Sequence, residues 1–398
     1  MSDAAHETTR VVIVGAGPAG LTLANLLQRS GIDCVVVEVR NRSYVEQRQR
    51  AGILDDYAGR IFEEYGLADR VLAGAPLETL LEIRYEGVPR FLNSPSLAGG
   101  RAGRLVPQQF LVQRLITTFL EGGGDLRFEA LDVALHEIDS DRPRVTYRDS
   151  AGNAHELHCS YVAGCDGFHG VSRGSIPAEA VTTYSFDHGI GWFTVLADAP
   201  APRYPLMAVS RHGFAAQFAR GPRSSRYYLQ YQPGEDPREW PDERTWQQLR
   251  LRLGDDALPE GPITDRDVVD MRSFVVDPMS YGRLFLVGDA AHIITPMGAK
   301  GMNLALADAH VLARALVAAE RDGDDTGLAA FSAVCLRRTW DYQEFSRWFT
   351  EMVHDSGDDS AAGPFRRQLA KARLDRLFDS PPAAAAFADL MAGTALLQ

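Results

Sequence analysis

The 398-residue sequence has only four cysteines, Cys34, Cys159, Cys165 and Cys335, and none stands at metal-ligand spacing from another. That excludes a zinc ribbon and a disulfide scaffold, and no metal is expected. Cys34 and Cys165 lie in apolar, strand-like runs where buried free thiols are expected, which fits a reducing cytoplasm. Positive charge is also scarce. Forty-one Lys and Arg against 53 Asp and Glu leave a net charge of −12, which argues against a nucleic acid held by phosphate contacts. No apolar run reaches transmembrane length, and the polar stretch Met1 to Arg10 does not read as a signal peptide, so neither a membrane partner nor export is expected. Internal repeats and long low-complexity tracts are missing too. What remains is 45% hydrophobic and 24% charged, the make-up of a globular protein with a sizeable core in one large or two ordinary domains.

Glycine marks the informative places. The apolar strand Val11 to Val14 runs into Gly15-Ala16-Gly17-Pro18-Ala19-Gly20 and then into a helical stretch that Gly31 ends. A second apolar run, Cys34 to Val37, ends in Glu38. Strand, GxGxxG, helix, strand and an acidic end about twenty residues after the first glycine form a dinucleotide-binding βαβ unit. A carboxylate at Glu38 suits a free ribose diol and repels a 2′-phosphate, so the adenosine of FAD or NAD is expected there, not that of NADP.

A second organising stretch is Gly288-Asp289-Ala290-Ala291-His292, continuing through Pro296-Met297-Gly298-Ala299-Lys300-Gly301-Met302-Asn303. It follows the apolar run Arg283 to Val287 and precedes an Ala/Leu-rich helix. Such a corner brings backbone close to a ligand and aims a helix N-terminus at it. Asp289 can accept from a ribitol hydroxyl, and Gly298 and Gly301 leave room for a flat ring. A third strand-to-turn element, Gly164-Cys165-Asp166-Gly167, follows a strand expected over His155 to Val162. Arg48 and Arg50 read either as a solvated face or as contacts to a pyrophosphate or nicotinamide nucleotide.

Between residues 180 and 270 aromatics, β-branched residues and turn signals dominate, which predicts a mostly antiparallel sheet with one helix near Arg244 to Leu253. The tail from about Phe331 is helical. Trp340, Phe345, Trp348 and Phe349 fall at helical spacing and read as core. The expected fold is α/β: a Rossmann-like domain over 8–179, with 72–97 joining the substrate sheet, an antiparallel-sheet substrate domain over 180–277, a return to the first domain over 278–350, and C-terminal helices over 351–398.

The ordered triple Gly15-x-Gly17-x-x-Gly20, Asp166-Gly167 and Gly288-Asp289 resembles the single-component FAD-dependent aromatic hydroxylases. Tyr161 to Gly170 and Gly282 to Gly301 resemble most closely their 4-hydroxybenzoate 3-monooxygenase branch. The resemblance implies FAD across the first domain, with its pyrophosphate at Gly15, Gly17 and Gly20, its ribose at Glu38, and further contacts from Gln108, Asp166, Asp289, Gly298, Gly301 and Asn303. It implies reduction by NAD(P)H, reaction with O2, and oxygen transfer to an electron-rich arene through a flavin C4a-hydroperoxide. Gly298–Gly301 and Ala51-Gly52 are placed to let the flavin swing. Family contacts to the nicotinamide cofactor map onto Arg50, His169 and Arg272. The family's Arg-Gln pair after the ribose acid is Val39-Arg40 here, which leaves NADH or NADPH open, with Arg40 or Arg42 able to meet a 2′-phosphate.

By the same resemblance Pro296, Arg220 and Tyr228 belong to the catalytic site. A buried Arg with a Tyr hydroxyl suits a benzoate-like carboxylate, and Arg226 matches another pocket arginine. The family's pocket serine is Phe218 here, its pocket threonine is Met297, and its two relay tyrosines align with Met207 and Met391. Thioethers are weak acceptors and cannot relay a phenol proton, so an aromatic or heteroaromatic acid that needs no deprotonation is expected, unless Tyr204 supplies the relay. The readings set against this monooxygenase are 4-hydroxybenzoate 3-monooxygenase proper, an FAD dehydrogenase or reductase on the same scaffold, and a flavin-binding sensor. The expected setting is the cytoplasm, and the expected assembly a homodimer.

Overall fold

The computed structural model of the protein describes residues 5–48, 52–78, 80–221, 223–231, 236–354 and 362–393. Its first layer is a six-stranded sheet in the order Ser280–Tyr281, Leu284–Leu286, Tyr161–Gly164, Val11–Val14, Cys34–Glu38 and Asp125–Phe128. All pairings are parallel except that of Ser280–Tyr281. Val11–Val14 sits near the middle and is buried at every position, as an unbroken apolar run in a parallel sheet requires. Pro18–Arg29 packs between the helices Gln108–Glu121 and Lys300–Asp322. The last of these is the one helix among the described residues long and apolar enough to cross a membrane, yet most of it lies inside the first core.

The second layer is an eight-stranded sheet in the order His292–Ile293, Ile263–Asp277, Thr182–Ala197, Ser224–Tyr231, Gly213–Gly221, Leu206–Ser210, Leu81–Tyr85 and Val88–Leu92. The hairpin of residues 81–92 thus joins the strands of residues 182–277. Only Leu206–Ser210 and Leu81–Tyr85 pair in parallel. Strand alternation gives this sheet two different faces. Phe193, Val195, Tyr227 and Leu229 pack on Trp246, Leu249 and Leu253 of the helix Asp242–Leu253. Trp192, Met207, Phe214, Phe218 and Tyr228 face the other way, toward Met297 and the helix Thr326–Val353. That helix contributes Phe331 and Cys335 to the first core and Phe345 and Phe349 to the second, so it fixes one layer against the other.

Two local expectations need correction. His155 to Val162 is not one strand. Ala154–His158 runs in a four-stranded sheet and Tyr161–Gly164 in the parallel sheet, because Ser160 and Tyr161 both donate to the Arg10 carbonyl and turn the chain between sheets. Trp340 is not core: it is 43% exposed and meets the exposed Tyr184 edge-on at 5.3 Å. Its helical spacing is right, but the face lies outside the packed stripe. Cys34 is half-buried, whereas the other three cysteines are buried, and all four thiols are free.

Candidate active site

The glycine-rich turn is held open by its own surroundings. Glu38 Oε2 accepts from Ala16 N at 2.8 Å, and Oε1 accepts from Arg40 N at 2.8 Å. Each oxygen keeps a further lone pair for a ribose diol. A Cβ on Gly20 would stand 2.0 Å from the Gly15 carbonyl oxygen, so the helix approaches the turn too closely for any side chain. A Cβ on Gly17 would meet nothing within 4 Å, and the helix it precedes has no side-chain cap. Open space before uncapped N–H groups fits a pyrophosphate. Arg42 is paired with Glu46 at 2.6 Å, and the Arg40 guanidinium lies over Tyr44. Gln108 opens its helix with its side chain buried.

Asp166 clamps its own loop: Oδ2 accepts from Ser172 N at 2.8 Å and Ser172 Oγ at 2.9 Å, while Oδ1 is buried without a partner. Burial holds its pKa above the usual carboxylate range. Asp289 stands in the short 3₁₀ turn Gly288–Ala290. Beneath that turn Asp308 accepts from Gly288 N at 3.1 Å and meets His292 Nε2 at 2.7 Å, with both side chains about 1% exposed. Burial opposes a charge on His292, but Asp308 outweighs it and holds the imidazole pKa above its ordinary value. The Asp308 contacts to Gly288 N and His292 fix the turn that carries Asp289.

The next corner is anchored from behind. Pro296 O accepts from Ala299 N, and Gly298 and Ala299 take left-handed conformations before Lys300 opens its helix. A Cβ on Gly298 would lie 2.7 Å from Phe345, whereas one on Gly301 would meet only Ile294, at 3.6 Å. Ser346 Oγ donates to the carbonyls of Thr295 and Met297, pinning the loop to the long helix. Lys300 is 1% exposed. Its Nζ donates to Asp55 Oδ2 at 3.1 Å and to the Met391 carbonyl at 2.8 Å, and lies 5.1 Å from the Tyr342 ring centre. Asp55 also caps the helix Asp56–Glu64. Asn303 spends its amide on Asp55 N, Ile53 O and Ala299 O. Its side chain therefore ties chain segments together at the corner where cofactor contact is expected.

The inner face of the large sheet supplies the next set. Trp192 stacks on Phe214 at 5.5 Å and tilts against Tyr228 at 4.7 Å, and Phe218 meets Tyr228 edge-on. Met207, Met297 and Met391 pack in the same cluster. Arg220 reaches along this face: Nη2 lies 3.4 Å from the Tyr228 hydroxyl, and Nη1 donates to the Ala219 carbonyl. A Cβ on Gly52 would be 3.1 Å from Arg220 Nη1, so a side chain there would push the guanidinium away. Arg226 is 6% exposed and donates from Nη2 to Thr194 Oγ1. Tyr204 stands apart, edge-on to the exposed Phe91.

A further group gathers around Phe168. Arg272 lies over its ring at 4.1 Å, Arg173 at 4.6 Å, and His169 meets it edge-on. His169 and Arg272 are both exposed, so two distant segments put cationic and aromatic groups on one surface. Arg50 and Ala51 lie outside the described residues.

Several residues of this site escape a reading by motif. Lys300 stands inside the glycine-rich stretch, and a lysine amid small apolar residues was the available signal. Its partners Asp55 and Glu78 have no local signature. Neither does His354, whose Nε2 accepts from Trp192 Nε1 at 2.7 Å while Nδ1 donates to the Thr350 carbonyl. Burial drives the His354 pKa down to about 3, which fixes a neutral ring behind the aromatic cluster.

The sequence profile described as FAD binding domain matches residues 8–346. The chain is 35% identical to p-hydroxybenzoate hydroxylase of Acinetobacter baylyi over 376 residues, 94% of this chain and 92% of that one. It is 30% identical to a 3-(3-hydroxy-phenyl)propionate/3-hydroxycinnamic acid hydroxylase of Mycolicibacterium gilvum over 75% of this chain, spanning about half of that relative's length (52%). Its fold matches the crystal structure of p-nitrophenol 4-monooxygenase from Pseudomonas putida with a TM-score of 0.82 at 19% identity, over 98% of this chain and 99% of that one. With the glycine-rich cradle, the second glycine-aspartate corner and a profile match across most of its length, the chain belongs to the FAD-binding-domain family, among the FAD-dependent aromatic monooxygenases related to p-hydroxybenzoate hydroxylase.

Proposed function

We propose that the protein hydroxylates an aromatic or heteroaromatic carboxylic acid, with FAD as cofactor and NAD(P)H and O2 as co-substrates, in the cytoplasm. The observation that carries the substrate class is Arg220, which meets a tyrosine hydroxyl and backbone but no carboxylate among the described residues. Burial holds its pKa below the usual range for arginine. Removing a guanidinium from water is unfavourable unless an anion meets it, and a substrate carboxylate is the natural partner.

FAD would be held by the turn Gly15–Gly20, Glu38, Gln108, Asp166, Asp289 and the corner Gly298–Asn303. When bound it accepts a hydride from the nicotinamide and activates O2 to deliver one oxygen atom to the ring. The chain's own residues do the rest. Arg220 and Tyr228 orient the acid, the corner after Pro296 offers a flat face, and Met207, Phe218, Met297 and Met391 exclude water. His169 and Arg272 suit the phosphates of NAD(P)H. The pair Met207 and Met391 supports a substrate that keeps no ionised phenol, such as an aminoarene or indole acid.

Substrate-stimulated NAD(P)H oxidation across hydroxy-, amino- and indole-carboxylates tests this. Arg220→Met should abolish stimulation by acids, a loss of roughly 2–5 kcal/mol in binding, and spare an amide or ester analogue. Met207→Tyr with Met391→Tyr should move the preference toward phenolic benzoates. Tight coupling of wild type on 4-hydroxybenzoate would instead make this an ordinary 4-hydroxybenzoate 3-monooxygenase, a reading with which the 35% identity is equally consistent.

A further inference from the structure

Three buried polar residues form one stripe along the end of the helix Thr326–Val353 and its C-cap. Ser346, Thr350 and His354 stand four residues apart, are 0%, 0% and 7% exposed, and lie among Phe345, Phe349 and Met352 of the second core. Polar groups so placed are hydrogen-bonded, and their partners show what they hold. Ser346 Oγ donates to the carbonyls on either side of Pro296, those of Thr295 and Met297. Thr350 Oγ1 lies 3.0 Å from Thr295 Oγ1 and joins the same loop. His354 holds a different element, the large sheet, through Trp192.

His354 is itself fixed. The Thr350 carbonyl accepts both its backbone N–H and its Nδ1–H, each at 3.0 Å. An indole N–H only donates, so Nε2 must accept, and one tautomer of the neutral ring satisfies both bonds. The same ring lies against Phe214, 4.4 Å between centres. Trp192 thus spends its one polar atom on the helix. That bond keeps the indole parallel to Phe214, with 5° between planes, and leaning on Tyr228. Tyr228 carries the hydroxyl that Arg220 meets. The orientation of the indole therefore bears on where that hydroxyl stands, and the stripe ties it to the loop around Pro296.

We propose that His354 is a positioning residue: it orients Trp192, and through Trp192 the Tyr228 hydroxyl, so that the acid anchor on the sheet keeps its register with the loop around Pro296. An aliphatic residue in its place leaves the indole N–H unmet and releases the ring that Tyr228 packs on. This rests on the reading of Arg220 and Tyr228 as a carboxylate anchor and adds what holds that anchor in place.

Titration of the oxidised holoenzyme with benzoate, followed by the flavin absorbance change, tests it without turnover. His354→Leu should weaken benzoate about tenfold while FAD stays bound. His354→Gln, whose amide oxygen can accept from the indole, should stay within about threefold of wild type. In a Trp192→Phe background, which has no N–H to place, His354→Leu should change benzoate binding by less than about twofold. Ultraviolet resonance Raman spectra need no His354 variant: the difference between wild type and Trp192→Phe should show a strongly hydrogen-bonded indole N–H that benzoate does not shift. A free indole N–H, or one that shifts when benzoate is added, overturns the proposal. So does an unchanged affinity in His354→Leu, an equal loss in His354→Gln, or an equal loss with and without Trp192. With benzoate binding that depends on Arg220, those outcomes leave the anchor reading standing. Benzoate binding that ignores Arg220→Met overturns that reading and this proposal with it.

Discussion

Glu78 lies beside the Lys300–Asp55 pair, and burial pushes its pKa up to about 7, with Lys300 pulling it down and Asp55 pushing it further up. The native protein therefore holds a proton that the unfolded chain releases near 4.5. The stabilisation this gives is complete below that lower value and is lost as pH rises through about 7. Glu78→Gln should flatten the fall in Tm between pH 5 and pH 8 by about 2 °C. An unchanged slope would mean that Glu78 ionises as it does in water. Glu38 makes a different demand. Its carboxylate holds two backbone N–H groups of the cradle and is proposed to meet the ribose. Losing charge-assisted hydrogen bonds of this kind costs roughly 1.5–3 kcal/mol, so Glu38→Ala should weaken FAD at least about tenfold. Unchanged affinity in a fluorescence titration would remove Glu38 from the site. Glu38 was legible in the sequence because its strand and spacing announce it. Glu78, Asp55 and His354 were not, because each owes its state to neighbours brought in from distant segments.

At the scale of elements, the corner from Thr295 to Asn303 is over-determined. Ser346 pins its carbonyls, Lys300 ties it to Asp55 and Met391, and Asn303 stitches it to Ile53. Breaking a buried pair such as Lys300–Asp55 leaves an uncompensated charge, so replacing either partner alone is expected to be costly. The loop around Phe168 is more open, with His169 exposed and two arginines, Arg173 and Arg272 of a neighbouring strand, over the Phe168 ring. If it receives the nicotinamide nucleotide, His169→Ala should raise KM for NAD(P)H about fivefold or more while substrate affinity stays the same. A fall in substrate affinity alone would sink that assignment. Elements with a single dominant period were readable: the all-apolar strands and the helix after Gly298 stand where the pattern puts them. The strand around His155 to Val162 was misread because one apolar run feeds two sheets, and the Arg10 carbonyl that divides it is invisible to local pattern. Trp340 shows the same limit, since helical spacing alone does not say which stripe is packed.

For the whole molecule, the sequence carried the plan: a parallel sheet with a glycine-rich cradle, an antiparallel sheet inserted between its segments, and helices closing the end. Three landmarks in fixed order, one glycine-rich turn and two glycine-aspartate corners, made that plan visible. The composition of the pocket was only partly visible, because packing, not residue type, brings Arg220 to Tyr228 and gathers the methionines into one cluster. Oxygen transfer to an aromatic acid is the proposed reaction of the whole molecule. Turnover under ¹⁸O2 with NAD(P)H and the best acid of the panel, followed by mass spectrometry of the product, measures that directly. A monooxygenase places one ¹⁸O atom in the ring product and forms about one product per NAD(P)H oxidised. Unlabelled product, or NAD(P)H consumed with hydrogen peroxide as the sole oxygen product across the panel, would contradict it.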